Sequence, residues 1–182
     1  MNSSQNIVLI GMRASGKTSV GRVLAKKMKK KFIDMDDAIE QKERKTITEM
    51  VAQKGWEYFR NRETEMCQKL GKEKNLVIAT GGGAILRKEN MESLKKNGKI
   101  LLLTAPLRDL CQRVSFSRRT KNQRPSLTGK TVTEELTDLW MERRGQYYAC
   151  ADHVFFVPNR TKNKQRDAKH YAKEIEEYLK GE

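Results

Sequence analysis

N-I-V-L-I-G-M-R-A-S-G-K-T-S-V-G, residues 6 to 21, joins an apolar run to a glycine-bounded loop and then to the start of an amphipathic stretch. Gly11, Gly16, Lys17 and Thr18 occupy every fixed place of the pattern G-x-x-x-x-G-K-[ST]. Glycine permits backbone conformations that a Cβ forbids, so successive N–H groups can turn toward one anion, and the helix that follows adds its positive N-terminal end. The spacing predicts a nucleoside triphosphate site built from Gly11, Arg13, Ala14, Ser15, Gly16, Lys17, Thr18 and Ser19. Lys17 would reach the β- and γ-phosphates, and the Thr18 hydroxyl would ligate magnesium. A turn whose glycines serve only chain reversal is the bland alternative; the loop's place between an apolar strand and an amphipathic helix argues against it.

Length and charge bound what the loop can belong to. At 182 residues the chain suits one domain, residues 1–182, with room for a full core. Hydrophobic residues at 37% and charged residues at 34% describe a heavily solvated globule. No apolar run approaches the roughly 18 residues of a membrane span, and M-N-S-S-Q-N lacks the basic and apolar parts of a signal peptide, so a cytoplasmic protein is expected. Cys67, Cys111 and Cys150 are widely spaced and in no metal-ligand pattern, which predicts reduced thiols. The net charge of +15 raises nucleic acid and acidic membranes as partners. Much of it is dispersed lysine, as in K-K-M-K-K-K from Lys26 to Lys31, where cations complement the end of the first helix. Without aromatic residues interleaved to stack bases, neither a nucleic acid nor a membrane is the expected partner.

Further along, Phe32 and Ile33 read as a short buried strand that ends in Asp34 and Asp36. Residues two apart in extended chain share a face, so both carboxylates can point at one place. Asp36 by itself could be a helix N-cap; after a phosphate loop the pair reads better as a magnesium partner, Asp34, and an acceptor for a hydroxyl proton, Asp36. Thr46 and Glu49 have capping-box spacing, Gly55 interrupts the pattern, and a helix then runs to about Leu70. On that helix Arg60 and Glu63 are neighbours three residues apart. N-L-V-I-A-T ends in Gly81, Gly82 and Gly83, which would let a ligand lie against the backbone at the carboxyl end of a strand. K-I-L-L-L-T-A is a fourth strand and D-H-V-F-F-V-P a fifth, with a long helix opened by the Thr131 and Glu134 pair between them. About residues 115–130 the chain turns polar and basic, which reads as a mobile lid that excludes water and adds positive charge. A helix from about Gln165 to Lys180 closes the chain.

Taken in order, the phosphate loop, Asp-x-Asp, Phe59-Arg60, the triple glycine and Arg124-Pro125 resemble the shikimate kinase family, over about residues 7 to 180. The resemblance implies a P-loop NTPase-type α/β fold of three layers: a five-stranded parallel sheet flanked by helices, nucleoside monophosphate kinase-like, with a mobile lid. It implies ATP-dependent phosphorylation of the 3-hydroxyl of shikimate, with ATP and Mg2+ as cofactors, a small-molecule partner and a monomer. On this likeness Asp34 lies near the magnesium with Thr18, and Asp36 binds the substrate hydroxyls and takes the proton. Arg60 pairs with the substrate carboxylate, helped by an arginine of M-E-R-R-G-Q-Y-Y; both Arg143 and Arg144 stand there, and the likeness puts the role at Arg144. Gly81, Gly82 and Gly83 line the substrate site and Phe59 presses on its ring. Lys17 and Arg124 act on the transferring phosphates, while Arg113 and Arg160 lie near adenine. Two departures stand out: Arg13 inside the loop, where many relatives are small or apolar, and Ser126 after the Arg-Pro pair. The rivals are another small-molecule P-loop kinase, for gluconate or a nucleoside monophosphate, and a basic nucleic-acid-binding ATPase.

Overall fold

Strand β1, Asn6–Ile10, is buried along its whole length because it pairs on both sides. It runs parallel to β3 (Leu76–Ala79), with Val8 opposite Ile78, and to β4 (Gly98–Thr104), with Val8 opposite Ile100. β2 (Lys31–Asp34) joins beyond β3 and β5 (His153–Phe156) beyond β4, giving one parallel five-stranded sheet of order β2-β3-β1-β4-β5. Apolar runs without alternation, such as Ile7–Ile10 and Ile100–Leu103, are what strands covered on both faces require. The computed structural model describes residues 4–116 and 131–181. Most of the expected lid, with Arg124, therefore lies outside the described residues.

Helices cover the sheet. α1 (Lys17–Lys27) packs on β2 and β3 and against α7 (Lys164–Lys180). α2 (Met35–Glu43) leads into α3 (Ile47–Leu70), α3 packs on α4 (Lys88–Lys95), and α5 (Leu107–Phe116) packs on α6 (Val132–Cys150). Both expected capping boxes form: Thr46 with Glu49 opens α3, and Thr131 with Glu134 opens α6. Gly55 interrupts α3 at φ 77 and ψ 170, so the stretch from Ile47 and the stretch bearing Arg60 are two helices joined at a corner. After the triple glycine the chain makes a short 3-10 turn at Ala84–Leu86 before α4 begins.

Reversal between α3 and the next strand depends on close approach. Gly71, the C-cap of α3, sits against α4 so tightly that a Cβ would fall 2.2 Å from the Ser93 carbonyl oxygen and 2.7 Å from its carbon. Backbone cannot rotate out of the way as a side chain can. Gly71→Ala is expected to destabilise the fold by about 1–3 kcal/mol, read as a lower urea midpoint at unchanged m-value. An unchanged midpoint would show that the helix pair separates freely.

Candidate active site

The loop between β1 and α1 curls through left-handed backbone at Gly11 (φ 142), Ala14 (φ 63) and Gly16 (φ 100). At Gly11 a Cβ would lie 2.3 Å from the Leu103 carbonyl oxygen, so this glycine serves both conformation and contact. Ala14 holds the same kind of backbone with a methyl group, at a cost of about 1–2 kcal/mol that the rest of the loop must offset. The Lys17 ammonium, nearly buried, donates to the carbonyls of Gly11 and Met12 at 2.8 Å each, which keeps its charge over the loop.

Around this loop lies a cavity of about 290 Å³. Arg13, Ala14, Ser15, Gly16, Lys17, Thr18 and Ser19 of the loop line it, together with Asp34, Asp36, Thr80, Gly82, Arg113, Asn159, Lys164 and Tyr171. Arg113 is fixed by three bonds, to Asn159 Oδ1 at 2.8 Å, Ala14 O at 3.2 Å and Val157 O at 2.6 Å. Burial pulls its pKa below the ordinary arginine value, partly countered by Asp109, Tyr171 and Asp167.

The acidic pair reaches the cavity differently from the strand alternation expected. Asp34 is the last residue of β2 and the N-cap of α2, without capping through its side chain, whereas Asp36 lies in the first helical turn. Both still line the same cavity, because the chain bends between them. Thr18 Oγ1 donates to Asp34 Oδ2 at 2.8 Å. A hydroxyl and neighbouring carboxylates are a hard, all-oxygen set of the kind magnesium takes together with phosphate oxygens and water, so these residues fit that ion.

A second cavity of about 240 Å³ adjoins the first and shares Arg13 and Gly82 with it. Its walls carry Arg60, Arg143, Trp56, Leu86, Leu139 and Tyr147. Arg60 is tightly placed: Glu63 Oε2 lies 2.5 Å from Nη1, and the guanidinium sits 5.4 Å from the Trp56 ring centre and 5.2 Å from that of Phe59. Glu63 is fully buried, so this is no exposed helix ion pair. Gly83 makes the room, since a Cβ there would fall 2.5 Å from the Arg60 nitrogens. Tyr147 donates its hydroxyl to Gly82 O at 2.6 Å and pins the glycine wall from behind.

Four expectations shift. The structure turns Arg143 toward the second cavity and leaves Arg144, expected there, exposed. The reason is helical phase: Glu135, Leu139, Arg143 and Tyr147 follow one another at four-residue intervals and share a face, while Arg144 is turned about 100° away. Tyr147, a large side chain one turn beyond Arg143, is the signal in the sequence that marks the inward face. Phe59 is wholly buried under the site and Trp56, in edge contact with it at 6.1 Å, takes the cavity wall. Arg160 is exposed and stands off the nucleotide cavity, where its neighbour Asn159 appears instead. Of the three glycines only Gly82 lines the cavities; Gly81 accepts from the Ala84 N–H and Gly83 backs Arg60. Trp56, Glu135 and Lys164 carried no sequence signal, because each faces the site only through tertiary placement.

The family model described as shikimate kinase matches residues 13–177. A shikimate kinase of Syntrophus aciditrophicus is 40% identical over 161 residues, 84% of this chain and 83% of that protein. The solved structure of a shikimate kinase from Acinetobacter baumannii in complex with shikimate superposes at a TM-score of 0.86 with 33% identity, covering 97% of this chain and 93% of the other. A gluconokinase of Sinorhizobium meliloti, at 18% identity and a TM-score of 0.52 over 96% of this chain and 95% of its own, shares the fold alone.

Because Glu63 is the buried counter-charge of Arg60, Glu63→Ala leaves a guanidinium uncompensated. A loss of about 3 kcal/mol in unfolding free energy is expected, measured by urea denaturation. A loss below about 1 kcal/mol would mean that solvent from the cavity neutralises Arg60 without help.

Proposed function

The chain belongs to the shikimate kinase family, and from that premise we propose how its side chains divide the transfer of the γ-phosphoryl group of ATP to the 3-hydroxyl of shikimate. It is an ATP-using kinase that phosphorylates shikimate, a step of aromatic amino acid biosynthesis. The observation that carries the division of labour is the pair of adjoining cavities: one holds the phosphate loop and both aspartates, the other Arg60 and Arg143 beside apolar side chains, with Arg13 on the wall between them.

In this reading the loop backbone from Gly11 to Ser19 cradles the phosphates, and Lys17 exchanges its loop carbonyls for β- and γ-phosphate oxygens. Thr18 and Asp34 would hold a magnesium ion, whose charge would offset that of the phosphates. Arg113 borders the nucleoside end. Arg60 and Arg143 clamp the shikimate carboxylate, with Trp56, Leu86 and Tyr147 against the ring and Gly82 letting the hydroxylated edge approach the backbone. Asp36 accepts the proton of the attacking hydroxyl. Arg124 keeps the role expected from the Arg-Pro motif, on the transferring phosphates. Phosphoryl transfer asks a protein mainly for positioning and charge neutralisation, and these residues supply both.

We also read the chain as one kinase domain that works as a cytoplasmic monomer, with its lysine excess a solvated face and no nucleic acid or membrane as partner. Among the described residues no helix is long and apolar enough to cross a membrane.

Coupled ADP release with shikimate tests the assignment. Asp36→Asn is expected to fold and bind ATP while losing most of its turnover; normal turnover would remove the proton acceptor. Arg143→Ala is expected to lower kcat/KM for shikimate by about 10- to 150-fold, the cost of one charge-assisted contact, while Arg144→Ala stays within about threefold of wild type. The reverse pattern would return the clamp to Arg144.

A further inference from the structure

Arg13 stands where the two cavities meet. Lys17, Arg113 and Lys164 line only the nucleotide cavity, and Arg60 and Arg143 only the acceptor cavity; among the described residues Arg13 is the one cation on both walls. Any group that passes from a donor in the first cavity to an acceptor in the second crosses the wall that Arg13 and Gly82 share. The phosphate-loop pattern itself leaves this position open, so nothing in the loop's own geometry calls for an arginine here.

Its partner points the same way. Glu135, in the first turn of α6, places Oε1 3.0 Å from Arg13 Nη2, with side-chain exposures of 14% for Arg13 and 5% for Glu135. A buried ion pair recovers its lost hydration only when its remaining hydrogen bonds are well made. Here they are not: Arg13 Nε and Glu135 Oε1 are both buried without an aligned hydrogen-bond partner. As a stabilising device the pair is poor. As a device for holding a guanidinium beside both cavities it is suitable, because an untethered arginine would lose rotamer freedom each time it engaged.

Resting on the kinase reading above, we propose that the Arg13 guanidinium is a catalytic residue that contacts the phosphoryl group in transit, and that Glu135 is the positioning residue that keeps it at the junction. The bond from the γ-phosphorus to the ADP oxygen breaks, the bond to the shikimate oxygen forms, and the hydroxyl proton passes to Asp36. Arg13 transfers nothing. It offsets charge on the equatorial oxygens during the crossing, beside Lys17 on the donor side and Arg60 and Arg143 on the acceptor side.

Steady-state kinetics of Arg13→Ala, Glu135→Gln and the double variant, each checked for fold by circular dichroism and for ATP binding by titration, test the proposal. Arg13→Ala is expected to lower kcat by about 10²- to 10³-fold, with KM for shikimate and Kd for ATP within about threefold, and added guanidinium is expected to restore part of kcat. Glu135→Gln is expected to lower kcat by about 10-fold in the wild-type background and to add nothing in the Arg13→Ala background, since its effect runs through Arg13. If Arg13→Ala does not fold, Arg13→Gln supplies the same comparison at similar side-chain length. A kcat within threefold of wild type, or a loss confined to KM and deaf to guanidinium, overturns the role of Arg13. Equal losses from Glu135→Gln in both backgrounds overturn the role of Glu135. Failure of the wild-type protein to phosphorylate shikimate would instead bring down the kinase reading, so the two failures are told apart.

Discussion

Parallel pairing of β1 with β3 on one side and β4 on the other holds every group of the site relative to every other. In that register Leu9 lies opposite Ala79 and Leu101, so the phosphate loop after β1 and the triple glycine after β3 leave the sheet at the same edge. β2, paired so that Asp34 lies opposite Ala79, brings the acidic pair to that edge too. A parallel sheet collects the carboxyl ends of its strands along one crevice, and here that crevice gathers the phosphate loop, the acidic pair and Gly82. The hydrogen bonds involved are ordinary; their common direction makes them decisive.

What the edge cannot supply comes from helices that reach across it. Arg60 arrives on α3 after the corner at Gly55, and Arg143 arrives on α6 with Tyr147 one turn beyond. Arg60 is held by the buried Glu63, and one turn from Arg143 the Tyr147 hydroxyl ties α6 to Gly82. Preorganised cations of this kind do not have to be gathered when substrate binds, which is where a phosphoryl-transfer site gains rate. The strained backbone at Ala14 belongs to the same pattern, with local cost concentrated where ligands meet the chain.

Arg13 and Glu135 connect the two sets of parts. One belongs to the loop after the central strand and the other to the first turn of α6, so their contact ties the strand edge to the helix that carries Arg143. The pair also accounts for a second cation in the loop close to Lys17. Its charge is balanced by Glu135 rather than left to repel Lys17.

Local rules were enough for the sequence to determine the phosphate loop, the five strands, both capped helices and the family. A glycine pattern, a capping box and an unbroken apolar run each act within a few residues, and their order along the chain is distinctive. Asp34, Asp36, Arg60 and Gly82 were legible for that reason. Only the tertiary structure decided that Arg143 rather than Arg144 faces the cavity, that Trp56 covers Phe59, and that Glu135 reaches Arg13. Those outcomes depend on the rotation of a helix about its axis, where one residue means about 100°, and on contacts between segments more than a hundred residues apart. The phase of α6 was partly written in Tyr147, but the partner of Arg13 was not, because an exposed and a buried glutamate look alike until the sheet beside them is built.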